Sequence, residues 1–429
     1  MRSTQVLGRL PAAAPRTPPD PVETRNPDAV DDSGTVDDAG TVDADVPGAV
    51  GRELRDLLTG RLADCRALDP VFADDIAERV ARFTRRGGRR FRARLVWWSM
   101  RACGGEDSVQ VRAALRTAAA LELIQTCALV HDDLMDEAST RRGAPALHVD
   151  VTAQYTGTAP GPAAQRLGVS AALLAGDLAL AWADDELGRL VLDPGLPRGT
   201  AHRLGEVWRT LRTEMVAGQY LDVQGQATSA LTVGRALRAA CLKSALYTVE
   251  RPLELGAVLA GADPATTGTL CLAGRSAGLA FQLRDDLDDV FADPATTGKV
   301  SGGDVREGKP TYLLAVARAR ATTAKDRAAL SVLEHAVGRA DLTPRELADV
   351  RNVLEATGAR DLVESKIGRL ARQSLRHLAE ATLEPRPADR LRALLAEITG
   401  TGTPRPGPPP DGPLSGPSPA TAAGSEAAK

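Results

Sequence analysis

Apolar positions recur at the helical period along most of this chain and nowhere alternate long enough to build a sheet. From residue 49 to residue 400, Ala, Leu and Arg dominate, β-branched and aromatic runs are scarce, and Gly/Pro pairs punctuate the pattern. The breaks fall near Gly87-Gly88, Gly104-Gly105, Arg142-Gly143, residues 155–162, residues 194–197, residues 261–264, Pro294 and Gly302-Gly303. This predicts an all-α, single-domain bundle over 49–400 with short connections. Residues 117–130 are apolar on nearly every side, which marks a helix buried all round, yet they run into Asp132, Asp133 and Asp136. The stretch from Gly278 repeats the design and runs into Asp285, Asp286, Asp288 and Asp289.

The two ends of the chain read differently. Residues 1–48 are rich in Pro, Ala and Asp, and carry a hexapeptide-like repeat that starts at Val30, Val36 and Val42. So few large apolar side chains are expected to leave the segment a disordered acidic tail. Its Asp spacing does not match a calcium loop. The repeat is either an inert linker or a docking peptide, for example for a protein shell or a downstream enzyme. Residues 401–429, rich in Pro, Gly, Ser and Ala, are expected to be a second unstructured tail.

Composition narrows the chemistry. The net charge of −3 gives no general attraction to nucleic acid, so an anionic ligand needs a local basic site. Cys65, Cys103, Cys127, Cys241 and Cys271 form no CxxC pair, which argues for reduced thiols and a cytoplasmic location. No unbroken apolar run reaches eighteen residues and no signal core is visible, so no transmembrane segment is expected. Arginine is the default cation: only Lys243, Lys299, Lys309, Lys325, Lys366 and Lys429 are lysines, and three of them, Lys243, Lys299 and Lys309, mark places where a compact ammonium rather than a planar fork is wanted.

Asp132 and Asp136 stand four residues apart and project from one face of their helix. At the C-terminal half of a buried helix, burial, mutual repulsion and the helix dipole all oppose their ionisation, so a cation is required. Hard oxygen donors suit Mg²⁺, which takes one or two carboxylates and completes its shell with phosphate oxygens and water. A lone acidic helix end would ordinarily be a solvated surface feature. Two with the same spacing in one domain instead suggest a multi-metal cage around a diphosphate. Basic residues flank both: Arg89, Arg90 and Arg92 after Gly87-Gly88, Arg141 and Arg142 before Gly143, then Lys243, Lys299 and Lys309. These are cations enough for two diphosphates.

In this order and spacing the motifs resemble the trans-isoprenyl diphosphate synthases, the polyprenyl synthetase family. The likeness runs from about Gly87 to Leu314 through GGRRFR, DDLMD with RRG, Ala175-Gly176-Asp177, Gly218-Gln219 with Asp222, Lys243-Ser244, FQ-x-x-DDLDD, and the segment from Gly298-Lys299 through Asp304 to Lys309 and Thr311. The resemblance implies an isoprenoid-synthase helical bundle around a central cavity, acting as a homodimer. It implies a Mg²⁺-dependent condensation of isopentenyl diphosphate with an allylic diphosphate, with three Mg²⁺ per site. Asp132, Asp136 and Asp285 would coordinate metal, with Asp133, Asp286 and Asp289 in support. Arg141, Lys243, Lys299 and Lys309 would hold the allylic diphosphate, and Arg89, Arg92, Gln125 and Arg142 that of isopentenyl diphosphate. Ser244 and Gln282 belong to the substrate site by the same likeness. Arg89 stands where the family usually has Lys, and Ser244 where Thr is frequent; both changes keep the donor chemistry.

Product length follows from what blocks the cavity below Asp132. Cys127 and Ala128, about one turn down, are small, so no aromatic floor closes it there, and the expected product is the C20 geranylgeranyl diphosphate. Ile124 or Leu121, one or two turns further down, would form the stop. A class I terpene cyclase would carry an Asn/Ser/Glu metal triad where this chain has DDLDD, and a catalytically dead partner or cargo subunit would not need complete aspartate motifs. Replacing Cys127 with Phe is expected to shorten the main product; an unchanged chain-length profile would place the floor elsewhere.

Overall fold

The computed structural model describes residues 38–228, 232–293 and 301–401. The order begins α1 (Ala39–Ala44), α2 (Val46–Leu68), α3 (70–86, with a π-helical turn at Ala73–Ala77), α4 (Phe91–Ala102) and α5 (Ser108–Met135). A hairpin of β1 (Thr140–Arg141) and β2 (Ala144–Pro145) follows, antiparallel, with Arg141 opposite Ala144. Then come α6 (Leu147–Tyr155), α7 (Gly161–Val191), α8 (Arg198–Thr228), α9 (233–259, π-helical over Cys241–Glu250) and α10 (Pro264–Phe291). The chain closes with α11 (Gly303–Glu307), α12 (Tyr312–Ala324), α13 (Arg327–Ala336), α14 (Pro344–Ala356), α15 (Ala359–Glu380) and α16 (Pro385–Ile398).

Helix α5 starts cleanly because Asp107 accepts from the Val109 and Gln110 backbone while Gln110 reaches back to the Asp107 N–H, a reciprocal cap. Its middle is sealed: Leu121, Leu123 and Ile124 have no exposed surface, and each such side chain contributes about 1.5–3 kcal/mol of burial. It packs chiefly on α7 and α4, within the larger hydrophobic cluster. Helix α10 packs on α15 and the π segment of α9, and its last turns enter a second cluster with α12 to α15. Both helices therefore carry their acidic ends out of packed apolar cores. Helices α5 and α7 are apolar enough to pass a membrane-span test by composition; the tested window of α5 is 78% buried inside the bundle, against 44% for α7.

The domain begins earlier than composition predicts. Residues 38–48, assigned above to the acidic tail, form α1 and the start of α2. Asp38 caps α1, Val42 is fully buried, and Asp45 caps α2. Asp43 accepts from Trp97 Nε1 (2.8 Å) and pairs with Arg101 (3.2 Å). Two buried valines, Val42 and Val46, and one paired aspartate order a segment whose average hydrophobicity is too low to announce it. The earlier repeat units at Val30 and Val36, and the C-terminal tail beyond residue 401, lie outside the described residues.

The π segment of α9 sits between α8 and α10, and glycines permit the approach. A Cβ on Gly218 of α8 would lie 2.3 Å from the Lys243 nitrogen, and one on Gly278 of α10 would lie 2.5 Å from the Ala245 carbonyl oxygen. The far end is pinned by charge: buried Glu250 accepts from Arg275 of α10 (2.6 and 2.8 Å), and Arg251 bonds Glu214 of α8 (2.8 and 2.7 Å). Because Gly218 abuts backbone that cannot swing away, Gly218→Ala is expected to destabilise by about 1–3 kcal/mol in urea unfolding. The same change should displace Lys243; a variant with wild-type stability would show that the contact has slack.

Candidate active site

The ends of α5 and α10, the loop before α12 and the π segment bring the aspartates and lysines together. Lys243 Nζ donates to Asp132 Oδ1 (3.1 Å) and to Asp222 Oδ2 of α8 (2.6 Å), while Gln219 Nε2 donates to Asp132 Oδ1 (3.0 Å). Lys309 Nζ bonds Asp136 Oδ2 (2.9 Å) and Glu307 Oε2 (2.6 Å), with Asp304 Oδ1 at 3.8 Å. Arg141, at the hairpin, donates from Nε to buried Asp133 Oδ1 (2.6 Å) and reaches Asp132 at 3.4 Å. The lysines thus tie the first aspartate cluster to residues of the second half of the chain.

The second cluster divides its labour. Asp285 is exposed, whereas Asp286 is buried and accepts from Gln282 Nε2 (2.8 Å). Gln282, expected at the substrate, is engaged with this carboxylate. Asp289 accepts from the Asp304 N–H (3.0 Å) through its side chain and from the Gly302 N–H (2.7 Å) through its carbonyl, so it shapes the loop that delivers Lys309. Burial and the neighbouring Asp285 and Asp222 charges push Asp286 up to about 7, against the Gln282 hydrogen bond. Burial, with Asp289 and Asp286 nearby, likewise holds Asp304 well above the usual carboxylate range. Burial also raises Asp136, whereas in Asp132 it is overcome by Lys243 and Lys309, which bring that carboxyl below its ordinary value.

A separate group of cations lies beside this cluster. Arg92 Nη2 donates to Thr248 Oγ1 (2.8 Å), its guanidinium lies 4.2 Å over the Tyr247 ring, and its Nε is buried without a partner. Tyr247 OH donates to Gln125 Oε1 (2.9 Å), which turns the amide NH₂ away from the tyrosine. Arg142 lies 5.3 Å over the Phe83 ring, and Arg89 is exposed, 5.8 Å over Phe91. Burial raises the pKa of Glu122 on α5, offset by the charges of Arg90, Arg92 and Arg142. Ser244 is half-buried on the π segment, next to Lys243, and Lys299 lies outside the described residues. Cys127 is buried with Sγ 3.8 Å from His131 Nδ1, and Ala128 is half-buried. Sequence reasoning gave no role to Tyr247, Thr248 or Glu122, and quoted Asp222, Gln219 and Asp304 without assigning them one; only their partners, distant in the chain, reveal it.

Among the described residues, no three carboxylate, thiol or imidazole groups gather closely enough to hold an ion unaided. That suits Mg²⁺, which needs only one or two protein carboxylates when a diphosphate supplies the other oxygens. The donor set fits: Asp132, Asp136 and Asp285 offer hard oxygens, Asp133 Oδ2 is buried without a partner, and carboxylates outnumber the cations among them. The raised Asp286 has a measurable consequence. The folded protein binds this proton more tightly than the unfolded chain, whose Asp titrates near 3.9. Its stabilisation is complete below that value and is lost as pH rises through about 7. In EDTA, Asp286→Asn should therefore melt above the wild type at pH 8, with a smaller advantage at pH 5 that disappears only below about pH 4; equal melting at pH 8 would refute the buried charge.

Comparison with known proteins agrees with this geometry. Residues 74–350 match the polyprenyl synthetase family. The crystal structure of a geranylgeranyl pyrophosphate synthase from Corynebacterium glutamicum, complexed with isoprenyl diphosphate and magnesium, is 37% identical and superposes with a TM-score of 0.75, covering 82% of this chain and 98% of that one. A (2E,6E)-farnesyl diphosphate synthase from Mycobacterium bovis is 31% identical over 309 residues, 72% of this chain and 78% of that protein. A geranylgeranyl diphosphate synthase from Methanosarcina mazei is 31% identical over 229 residues, 53% of this chain, and the chain spans 63% of that protein's length. With the family matched over most of the domain and the aspartate ends of α5 and α10 joined through its lysines, this chain belongs to the polyprenyl synthetase family.

Proposed function

We propose that this protein is a Mg²⁺-dependent trans-isoprenyl diphosphate synthase, a prenyltransferase that joins isopentenyl diphosphate to an allylic diphosphate and releases a linear C20 diphosphate. The observation that carries the reading is the pairing of two anion-binding groups over one apolar bundle. Lys243, Lys309 and Arg141 stand among the aspartates, and Arg92, Arg142 and Gln125 stand beside them. Asp132, Asp136 and Asp285 would hold Mg²⁺, which would supply electrophilic pull on the allylic leaving group.

The chain's own residues do the rest. Lys243 and Lys309 exchange their carboxylate partners for the diphosphate oxygens and so stabilise the charge that develops on departure. Gln125 and Arg92, fixed from behind by Tyr247 and Thr248, orient the second diphosphate so that its alkene faces the allylic carbon. The packed apolar turns of α5 keep water from the carbocation. The names of the relatives favour a short-chain product and vary among farnesyl, geranylgeranyl and geranylfarnesyl diphosphate. The C20 reading rests on the small side chains of Cys127 and Ala128.

Three further features belong to the proposal. The exposed Leu167, Leu173 and Leu174 of α7, with Val216 and Tyr220 of α8, supply apolar surface for a homodimer. The free cysteines suit a cytoplasmic setting. The acidic repeats ahead of residue 38 are either an inert linker or a docking peptide, for example for a protein shell or a downstream enzyme.

Incubation with isopentenyl diphosphate, each allylic primer and Mg²⁺ should give linear geranylgeranyl diphosphate, and Asp136→Ala should lower kcat by about 10²–10³-fold. A cyclic hydrocarbon product would overturn the reading.

A further inference from the structure

Beside the hairpin lies a groove between α3, the β1–β2 turn and the start of α6. Its basic lining is Arg79, Arg82, Arg86, Arg141 and Arg142, and one carboxylate, Asp150, faces them. These cations differ in what they already hold. Arg79 is spent on Asp150 (2.8 Å) and on the Asp75 carbonyl (2.7 Å), and Arg141 on Asp133. Arg82 reaches Asp150 only at 3.6 Å and stays 48% exposed. Arg86, one turn further on the same face, is exposed, and among the described residues neither it nor Arg142 makes an ion pair within 4 Å. Arg142 is instead propped on the Phe83 ring, in left-handed backbone (φ 52°) that aims it across the groove. Phe83, Leu147 and Pro145 form the wall between the charges.

Guanidiniums that converge on a concave, partly apolar surface where Asp150, 3.6 Å from Arg82, is the one carboxylate in the lining are arranged for a doubly charged oxyanion, which takes paired N–H donors from each fork. We propose that this groove is a second phosphate- or diphosphate-binding site, built on Arg82, Arg86 and Arg142 and separate from the catalytic mouth. Arg82 and Arg86 play no part in the proposed condensation. Arg142 belongs to both places, since it also feels Glu122 and Arg92 on the other side of the Gly87-Gly88 turn. An anion in the groove therefore draws Arg142 away from the isopentenyl diphosphate side and slows use of that substrate. The binding stands on the groove alone; the inhibition rests on the proposed function. A free diphosphate and the head of a prenyl diphosphate share the required chemistry.

The test uses the full-length protein and its Arg82→Ala/Arg86→Ala variant, both on exposed positions. Inorganic diphosphate and geranylgeranyl diphosphate are titrated separately by calorimetry, in EDTA with saturating isopentenyl diphosphate. The site predicts roughly ten- to hundredfold weaker binding to the variant of whichever diphosphate is its ligand, free or prenylated. Turnover without added diphosphate should be unchanged, and inhibition by that ligand against isopentenyl diphosphate should be relieved. Equal affinity of wild type and variant for both probes overturns the site, as does a fall in basal turnover, which would make Arg82 and Arg86 part of the catalytic mouth. A wild type that forms no prenyl diphosphate sinks the proposed function while leaving the binding comparison to decide the groove.

Discussion

Too much negative charge at the ends of two buried helices is the constraint around which this structure is arranged. Helices α5 and α10 are held by apolar packing that leaves them little freedom to turn their aspartates toward solvent. Asp286 is pushed up by burial and the charges of Asp285 and Asp222, Asp304 by burial and those of Asp289 and Asp286, and Lys243 and Lys309 are inserted among the neighbouring carboxylates. Each lysine comes from a different structural device: one from a π segment squeezed between glycines, the other from a loop fastened by Asp289. Removing either would leave carboxylates buried against like charge, a state far costlier than the packing around it could absorb.

The same imbalance prepares the site for chemistry. Under the proposed function, an ammonium already sitting on a carboxylate stands close to where a diphosphate oxygen would arrive with its metal, so exchange of partners would need little movement. The arginine group beside it is built on the opposite principle. Tyr247 and Thr248 engage one side of Gln125 and Arg92 and leave the other donors unspent, so binding there needs no bond to be broken first. One site waits by mutual neutralisation and the other by unfilled donors.

Much of this was legible in the chain itself where the signal is local. Asp132 and Asp136 share a face because they are four apart, and the caps and breaks that delimit α5 are written within a few residues of its ends. What escaped was carried by distance. The α1 segment was read as tail because its order depends on Trp97 and Arg101, more than fifty residues away in sequence. Lys243 marked itself by being a rare lysine, but its partner Asp222 did not. The role of Gln282 shifted for a comparable reason: it lies one turn before Asp286, and that nearest acid engages it.

The π segment has a mechanical meaning beyond the site it serves. A helix wound with about one more residue per turn is underwound relative to its α-helical flanks, and it holds that shape only while its neighbours press on it. Here α8 and α10 supply the pressure through Gly218 and Gly278, and the Glu250–Arg275 and Arg251–Glu214 bonds prevent the surplus turn from slipping out at the far end. Lys243 and Tyr247 ride on the same underwound stretch, one facing the aspartates and the other Gln125. A single torsional spring thus sets the angle between the two halves of the reaction centre, and rewinding it by a fraction of a turn would rotate both at once.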